Sequence, residues 1–230
     1  NSEVIHNLAY EKILEVLHLT HVFEENLNEK VIRGRVDYLR KYLEKHYEDD
    51  KKQYVYSIIL FTLFVENVSL FSQFYIIMHM NRNKAVMKDC AQQVQYTRNE
   101  EMLHAQVGIK LIQTLREEYP DLFDDELQER IQHECIESLR AESKVIDWIM
   151  GDYEVEGLSA PILKSFIAKR MADSLDQIGF DNSEIVYDQA HVDETFWFDE
   201  ELYGANMTDF FQKRPVEYAK GQGISADDLF

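Results

Sequence analysis

Apolar residues recur every three or four positions over most of the chain, and this spacing predicts helices. The first such pattern begins at Ile5 and continues to Leu17. Further helices are predicted for residues 28–47, 53–80, 85–116, 125–150 and 158–178. The periodicity is lost after about residue 181. We therefore expect an all-α bundle over residues 1–180 and a C-terminal extension with a flexible tail over residues 181–230.

Residues 53–80 form the most apolar stretch of the chain. Polar residues interrupt it, including Glu66, Asn67 and Gln73. Because a membrane-spanning helix is more uniformly apolar, the pattern favours a buried helix of the protein core. An ionised carboxylate in such a helix is costly unless it is paired or bound to a metal. Glu66 therefore either turns to solvent or meets a positive centre in the core.

Composition and charge narrow the class of protein. The chain of 230 residues has only 8 Gly and 3 Pro, which agrees with long helices. A formal net charge of -19 argues against direct contact with nucleic acid or with an anionic membrane. Cys90 and Cys135 lack metal-type spacing and are interpreted as reduced, buried thiols. We expect a cytoplasmic protein.

Two Glu-x-x-His pairs are the candidate chemistry of this chain. Glu3 and His6 form the first pair, and Glu101 and His104 form the second. The i, i+3 spacing places both members of a pair on one helix face. A single pair is more often a solvated helix face, but two pairs together with Glu66 resemble the ligand set of a dinuclear metal site. Fe, Mn or Zn suits these ligands, and a bridged, oxygen-rich site favours a redox pair of Fe or Mn.

In this hypothesis Glu3 and Glu101 bridge two metals, and the two histidines are terminal ligands. The set is one terminal carboxylate short, and a preceding segment or another chain is the expected donor. Tyr10 lies four residues after His6 and thus on the same helix face. A metal site that has reacted with O₂ could oxidise it, although a tyrosine in the core is also common.

The chain resembles the radical-generating small (β) subunit of class I ribonucleotide reductase, apparently without its N-terminal part. The resemblance rests on both Glu-x-x-His pairs, the tyrosine after the first pair, and the run around Glu66. The matching segments are residues 3–10, 64–71, 98–104, 208–214 and 216–221. It implies a ferritin-like bundle with a di-iron or di-manganese site. It also implies a stable radical on Tyr10, which the large subunit uses to reduce ribonucleotides to deoxyribonucleotides.

The resemblance assigns further roles. Tyr218 matches the tyrosine that passes the oxidising equivalent between subunits. Glu100 falls where the family usually has an Asp that relays between a metal-bound His and a Trp. Phe74 matches an aromatic residue of the radical pocket. The docking residues for the large subunit are Asp227, Asp228, Leu229 and Phe230.

The resemblance further implies a homodimer. We also expect an N-terminal fragment chain that supplies an Asp or Glu ligand and a Trp. Two alternatives remain open. The first is a ferritin-like di-iron oxidase or oxygenase, which would share the ligands but should lack the tail. The second is an inert C-terminal piece of a split small subunit that needs its N-terminal partner.

Overall fold

The computed structural model describes residues 2–43 and 51–200, so the predictions for Tyr218 and for residues 227–230 lie outside the described residues. Every regular element within these ranges is helical, which confirms the all-α prediction. The elements are α1 (Ser2–Val16), α2 (Thr20–Asn26), α3 (Lys30–Leu43), α4 (Lys51–Leu60), a π-helical segment (Phe61–Ser69), α5 (Phe71–Lys84), α6 (Lys88–Glu118), a 3₁₀ turn (Pro120–Leu122), α7 (Asp125–Met150), α8 (Ala160–Gln177) and α9 (Gln189–Glu194).

One compact unit comprises Asn1–Thr195, and Phe196–Phe230 form a second unit. The first unit extends past residue 180, where the sequence analysis placed the domain boundary. The loop after α8 belongs to it because the Asn182 side chain donates to the backbone oxygen of Ala172 at 3.0 Å. Ile185 and Val192 are buried there as well.

The predicted apolar core helix forms as a continuous run, Lys51–Lys84. By length and composition it could cross a membrane, but 67% of its most apolar window is buried inside the protein. This burial agrees with a core helix. Leu63, Phe64 and Phe71 along it are at most 1% exposed. The run is not α-helical throughout, because Phe61–Ser69 are wound as a π-helix.

Two arginines hold the end of this π-helical segment. Arg170 donates from Nε to the backbone oxygen of Asn67 at 2.9 Å and from Nη2 to the Asn67 side chain at 2.7 Å. Arg35 donates to the backbone oxygen of Ser69 and pairs with Glu142 at 2.8 Å. Because π-helical backbone is rare and is frequently found at functional sites, this winding draws attention to the segment that carries Glu66.

Helix α1 runs antiparallel to the middle of α6. Glu3 faces His104, His6 faces Glu100, and Tyr10 faces Thr97. The helix forms as predicted, but its apolar side chains are not buried. Val4, Ile5 and Leu8 are 53%, 65% and 58% exposed. Leu103 and Val107 of α6 are 59% and 62% exposed, so apolar surface is exposed on both helices.

Candidate metal centre

Five predicted side chains meet between three helical elements. Helix α1 carries Glu3 and His6, the π-helical segment carries Glu66, and α6 carries Glu101 and His104. His6, Glu66 and Glu101 are buried, whereas the Glu3 side chain is 64% exposed and that of His104 is 34% exposed. Donor atoms of Glu3, Glu101 and His104 lie within 4.8 Å of one another, which is close enough to share a metal ion.

Glu101 is placed between the two imidazoles. Its Oε1 lies 3.3 Å from His6 Nδ1, and its Oε2 lies 3.4 Å from His104 Nδ1. Glu3 has the same arrangement, with Oε2 at 3.4 Å from His6 Nδ1 and Oε1 at 3.6 Å from His104 Nδ1. Each carboxylate thus presents one oxygen to each histidine. This geometry suits carboxylates that bridge two metal ions.

Glu66 lies on one side of the cluster only. Its Oε2 is 3.2 Å from His104 Nδ1. On the other side, the carboxylates that approach His6 Nδ1 are Glu3 and Glu101 alone among the described residues. The cluster is therefore asymmetric, with three carboxylates around His104 and two around His6 Nδ1.

The electrostatics of the cluster fit a bound cation. Burial, together with the neighbouring Glu66, Glu3 and Glu100 carboxylates, raises the pKa of Glu101 to about 9. Like charges at this distance oppose ionisation unless a positive charge lies between them. His6 Nδ1 is buried and makes no hydrogen bond within the described part of the chain. Three carboxylates and two ring nitrogens are ligands that Fe and Mn accept.

Glu100 contacts the outer nitrogen of His6. The distance from His6 Nε2 to Glu100 Oε2 is 2.8 Å, and the Glu100 side chain is 51% exposed. A carboxylate at this nitrogen accepts the Nε2 proton and leaves Nδ1 as the acceptor. Such a contact fixes the tautomer and orientation of a metal-binding histidine. Glu100, which stands where the family that the sequence resembles usually has an Asp, therefore reaches the His6 ring.

Tyr10 meets a residue that the sequence reasoning missed. Its hydroxyl donates to Thr97 Oγ1 at 3.1 Å. Thr97 is only 1% exposed, and it lies four residues before Glu101 on the same face of α6. The four-residue spacing from Glu101 was the available signal for Thr97 in the sequence. Threonine was not considered because it carries no charge and is not a common metal ligand.

The predicted residue Phe74 is also buried, with its ring centroid 5.5 Å from that of Phe71.

Long helices with inward-facing Glu and His side chains place the protein in the ferritin-like helical-bundle class. Comparison with known families makes the assignment specific. The chain belongs to the ribonucleotide reductase small-chain family, whose model matches residues 1–202. The ferritin-like fold and the family resemblance inferred from the sequence are thereby confirmed.

Individual relatives are distant in sequence. The chain is 24% identical to the probable ribonucleoside-diphosphate reductase small subunit 048L of Invertebrate iridescent virus 3, over 95% of this chain and 61% of the viral protein. It is 22% identical to the ribonucleoside-diphosphate reductase subunit beta of Halalkalibacterium halodurans, over 99% of this chain and 65% of that protein. The chain thus spans less than two thirds of the length of either relative.

A solved structure gives the same fold. It comes from Bacillus halodurans and is provisionally assigned to the class I ribonucleotide reductases. It superposes with a TM-score of 0.74 at 20% sequence identity, over 86% of this chain and 70% of the other. The likeness extends the agreement from sequence motifs to the arrangement of the helices.

Proposed function

We propose that this chain holds a dinuclear Fe or Mn site that activates O₂ and oxidises Tyr10 to a tyrosyl radical. A large subunit would then use this radical to reduce ribonucleoside diphosphates to deoxyribonucleotides. The observation that carries the proposal is the position of Glu101, whose two oxygens face different imidazoles at 3.3 Å and 3.4 Å. A carboxylate that only solvated a helix face would not lie between the ring nitrogens of two histidines on different helices.

Each residue has a role in this proposal. Glu3, His6, Glu66, Glu101 and His104 would hold the metals, and Glu101 and Glu3, which each face both histidines, would be the shared ligands. The bound metals would supply the one-electron oxidation when O₂ is present. Glu100 holds the Nε2 proton of His6 and thereby keeps Nδ1 available as a ligand. Tyr10 is protonated at rest, because burial raises its pKa above the ordinary value.

The two halves of the site are unequal, and this suggests a missing ligand. Glu66 lies beside His104 and would be the terminal carboxylate of the metal bound there. A further terminal carboxylate would therefore be needed for the metal beside His6. Glu3 is 64% exposed, and apolar side chains of α1 and α6 are exposed as well. We propose that a helical segment covers this surface and brings the carboxylate and a Trp, delivered by an N-terminal fragment chain.

The C-terminal residues and the assembly belong to the proposal through the family. Tyr218 would pass the oxidising equivalent onward, and Asp227, Asp228, Leu229 and Phe230 would dock on the large subunit. A short segment with apolar anchors is suited to such docking. We propose a homodimer in the cytoplasm, without direct contact to nucleic acid.

Native mass spectrometry of the purified protein, read for chains and metals together, tests the site and its partner. We expect two metal ions per chain of 27.3 kDa, together with a second, smaller polypeptide. The Glu101→Ala variant should lose both metals because it removes a bridge. Glu137→Ala, which removes an exposed carboxylate on α7, is the control and should retain them. Two metals bound to this chain alone would overturn the partner proposal, and no bound metal in the presence of the second polypeptide would overturn the site.

Electron paramagnetic resonance tests the radical. After loading with Fe²⁺ or Mn²⁺ and exposure to O₂, the unsubstituted protein in complex with its N-terminal fragment chain should give a tyrosyl signal. Tyr10→Phe should bind the same number of metals and lose the signal, because only the phenolic hydroxyl is removed. A tyrosyl signal that persists in this variant would show that another of the 13 tyrosines carries it. Two metals without any radical would favour the oxidase alternative.

A further inference from the structure

The Thr97 hydroxyl connects Tyr10 to the backbone of α6. It accepts a hydrogen bond from the Tyr10 hydroxyl at 3.1 Å and donates its own proton to the backbone oxygen of Gln93 at 3.1 Å. The Gln93 side chain approaches Thr97 Oγ1 at 3.5 Å. Because Thr97 is 1% exposed, bulk water does not reach this hydroxyl.

A hydroxyl has one proton to donate and two lone pairs that accept. While Tyr10 is a phenol, Thr97 can accept from it and still donate to Gln93. Once Tyr10 has lost its proton, the phenolic oxygen can only accept. Two oxygens that both accept would then face each other at 3.1 Å without a proton between them. Rotation about the Cβ–Oγ1 bond of Thr97 removes this conflict.

We propose that Thr97 is a positioning residue for Tyr10, and that its hydroxyl changes from acceptor to donor when Tyr10 is oxidised. The inference rests on the proposed function, since it takes Tyr10 to be the radical site. Once O₂ has oxidised a metal-loaded site, that site would accept one electron from Tyr10, and the phenolic proton would be taken up by the reduced O₂. Thr97 keeps its own proton and turns it from the Gln93 oxygen to the phenoxyl oxygen.

The switch is structurally undemanding. The backbone oxygen of Gln93 is four residues before Thr97 in α6, so it also accepts from the helix backbone and is not left without a donor. Only a hydroxyl torsion has to change. The hydrogen bond would hold the phenoxyl oxygen in place and draw electron density toward it. In spectroscopic terms, a hydrogen bond to a phenoxyl oxygen lowers the largest component of the g tensor.

High-field electron paramagnetic resonance on the metal-loaded protein tests the donor role. Thr97→Val keeps the shape of the side chain and removes the hydroxyl, so the largest g component should shift upward and the coupling to an exchangeable proton should disappear. Thr97→Ser should restore both properties. Thr114→Val is the matched control, because Thr114 is also on α6 and bonds to the backbone oxygen of Lys110 at 2.9 Å.

A second measurement needs neither metal nor radical. In protein labelled with ¹³Cζ-tyrosine, the Tyr10 resonance is identified by its absence in Tyr10→Phe. Its chemical shift should change in Thr97→Val and stay unchanged in Thr97→Ser and Thr114→Val, since it reports the hydrogen bond of the phenol. Thermal unfolding of each variant shows whether a shift accompanies a general loss of structure.

The two measurements separate failure of the inference from failure of the proposed function. A tyrosyl radical with the same g tensor in Thr97→Val and in the unsubstituted protein would overturn the inference and leave the proposed function standing. An unchanged ¹³Cζ shift in Thr97→Val would overturn the hydrogen bond itself. A changed ¹³Cζ shift without any radical in the unsubstituted protein would support the contact and overturn the radical.

Discussion

Glu142 and Glu101 are both buried carboxylates, but their partners differ. Glu101 is surrounded by other acids, whereas Glu142 pairs with Arg35 at 2.8 Å. Burial raises the pKa of Glu142 from 4.5 to about 7, although the Arg35 charge opposes the shift. One oxygen of Glu142 makes no hydrogen bond within the described residues. Desolvation therefore outweighs the ion pair.

The raised pKa of Glu142 predicts how stability depends on pH. The folded state binds the Glu142 proton more tightly than the unfolded state does. The stability that this proton contributes is therefore lost as the pH rises from 4.5 to above about 7. This shift in the Glu142 pKa corresponds to about 3 kcal/mol in the free energy of unfolding. Between pH 4.5 and 8, the free energy of unfolding of the metal-free protein should therefore fall by about that much more than that of Glu142→Gln.

Urea denaturation at both pH values measures this difference. Glu137→Gln is the control, because Glu137 lies on the same helix and pairs with Arg140 at the surface. It should follow the unsubstituted protein. Parallel pH profiles for the unsubstituted protein and Glu142→Gln would show that Glu142 does not titrate in this range.

At the scale of elements, α6 passes close to the π-helical segment at Gly108. A Cβ atom added there would lie within 3.0 Å of the Thr62 side chain, so one of the two helices must shift. Gly108→Ala should destabilise the fold by about 1–3 kcal/mol, despite the better helix propensity of alanine. Gly34→Ala in α3 is the matched control, because nothing lies within 4 Å of the added atom.

Thermal unfolding compares the two variants. Gly34→Ala should leave stability unchanged or raise it slightly, since it gains helix propensity without a clash. Because Thr62 and Glu66 belong to the same π-helical segment, Gly108→Ala should also weaken metal binding. Equal stability in both alanine variants would mean that the helices are not in close contact at Gly108.

The sequence predicted more of the cluster of candidate ligands than of the backbone that carries it. Glu3, His6, Glu101 and His104 could be recognised because i, i+3 spacing puts each pair on one face, whatever the helix packs against. The π-helical winding around Glu66 could not be predicted in this way. It is held by Arg35 and Arg170, and Arg170 lies 103 residues from Asn67. Long-range contacts of this kind leave no local pattern.

At the scale of the whole molecule, α1 is an outlying helix with an exposed apolar face. The side chains of Glu3, His6 and Tyr10 on this helix contact His104, Glu100 and Thr97 of α6. Metal ions bound between α1 and α6 would add strong bonds between these helices. Binding to the folded state alone also stabilises that state.

Hydrogen exchange tests this effect of metal. Adding Mn²⁺ should slow amide exchange over α1 by more than tenfold, with a smaller change in α8, which carries none of the proposed ligands. Excess chelator should reverse the protection. Equal protection of both helices would mean that metal stabilises the fold globally rather than fixing α1, and no protection would contradict the assignment of Glu3 and His6 as ligands.

The antiparallel pairing of α1 and α6 has a consequence for transferring the proposed site to other proteins. Residues 3–10 and 97–104 contain both Glu-x-x-His pairs, Tyr10 and its threonine partner, in one fixed alignment. Two short segments therefore form a nearly complete cassette, to which the core helix contributes Glu66. Grafted onto another antiparallel helix pair of the same spacing, the two segments would keep Tyr10 at the same separation from Glu3 and His6, because all three lie on one helix.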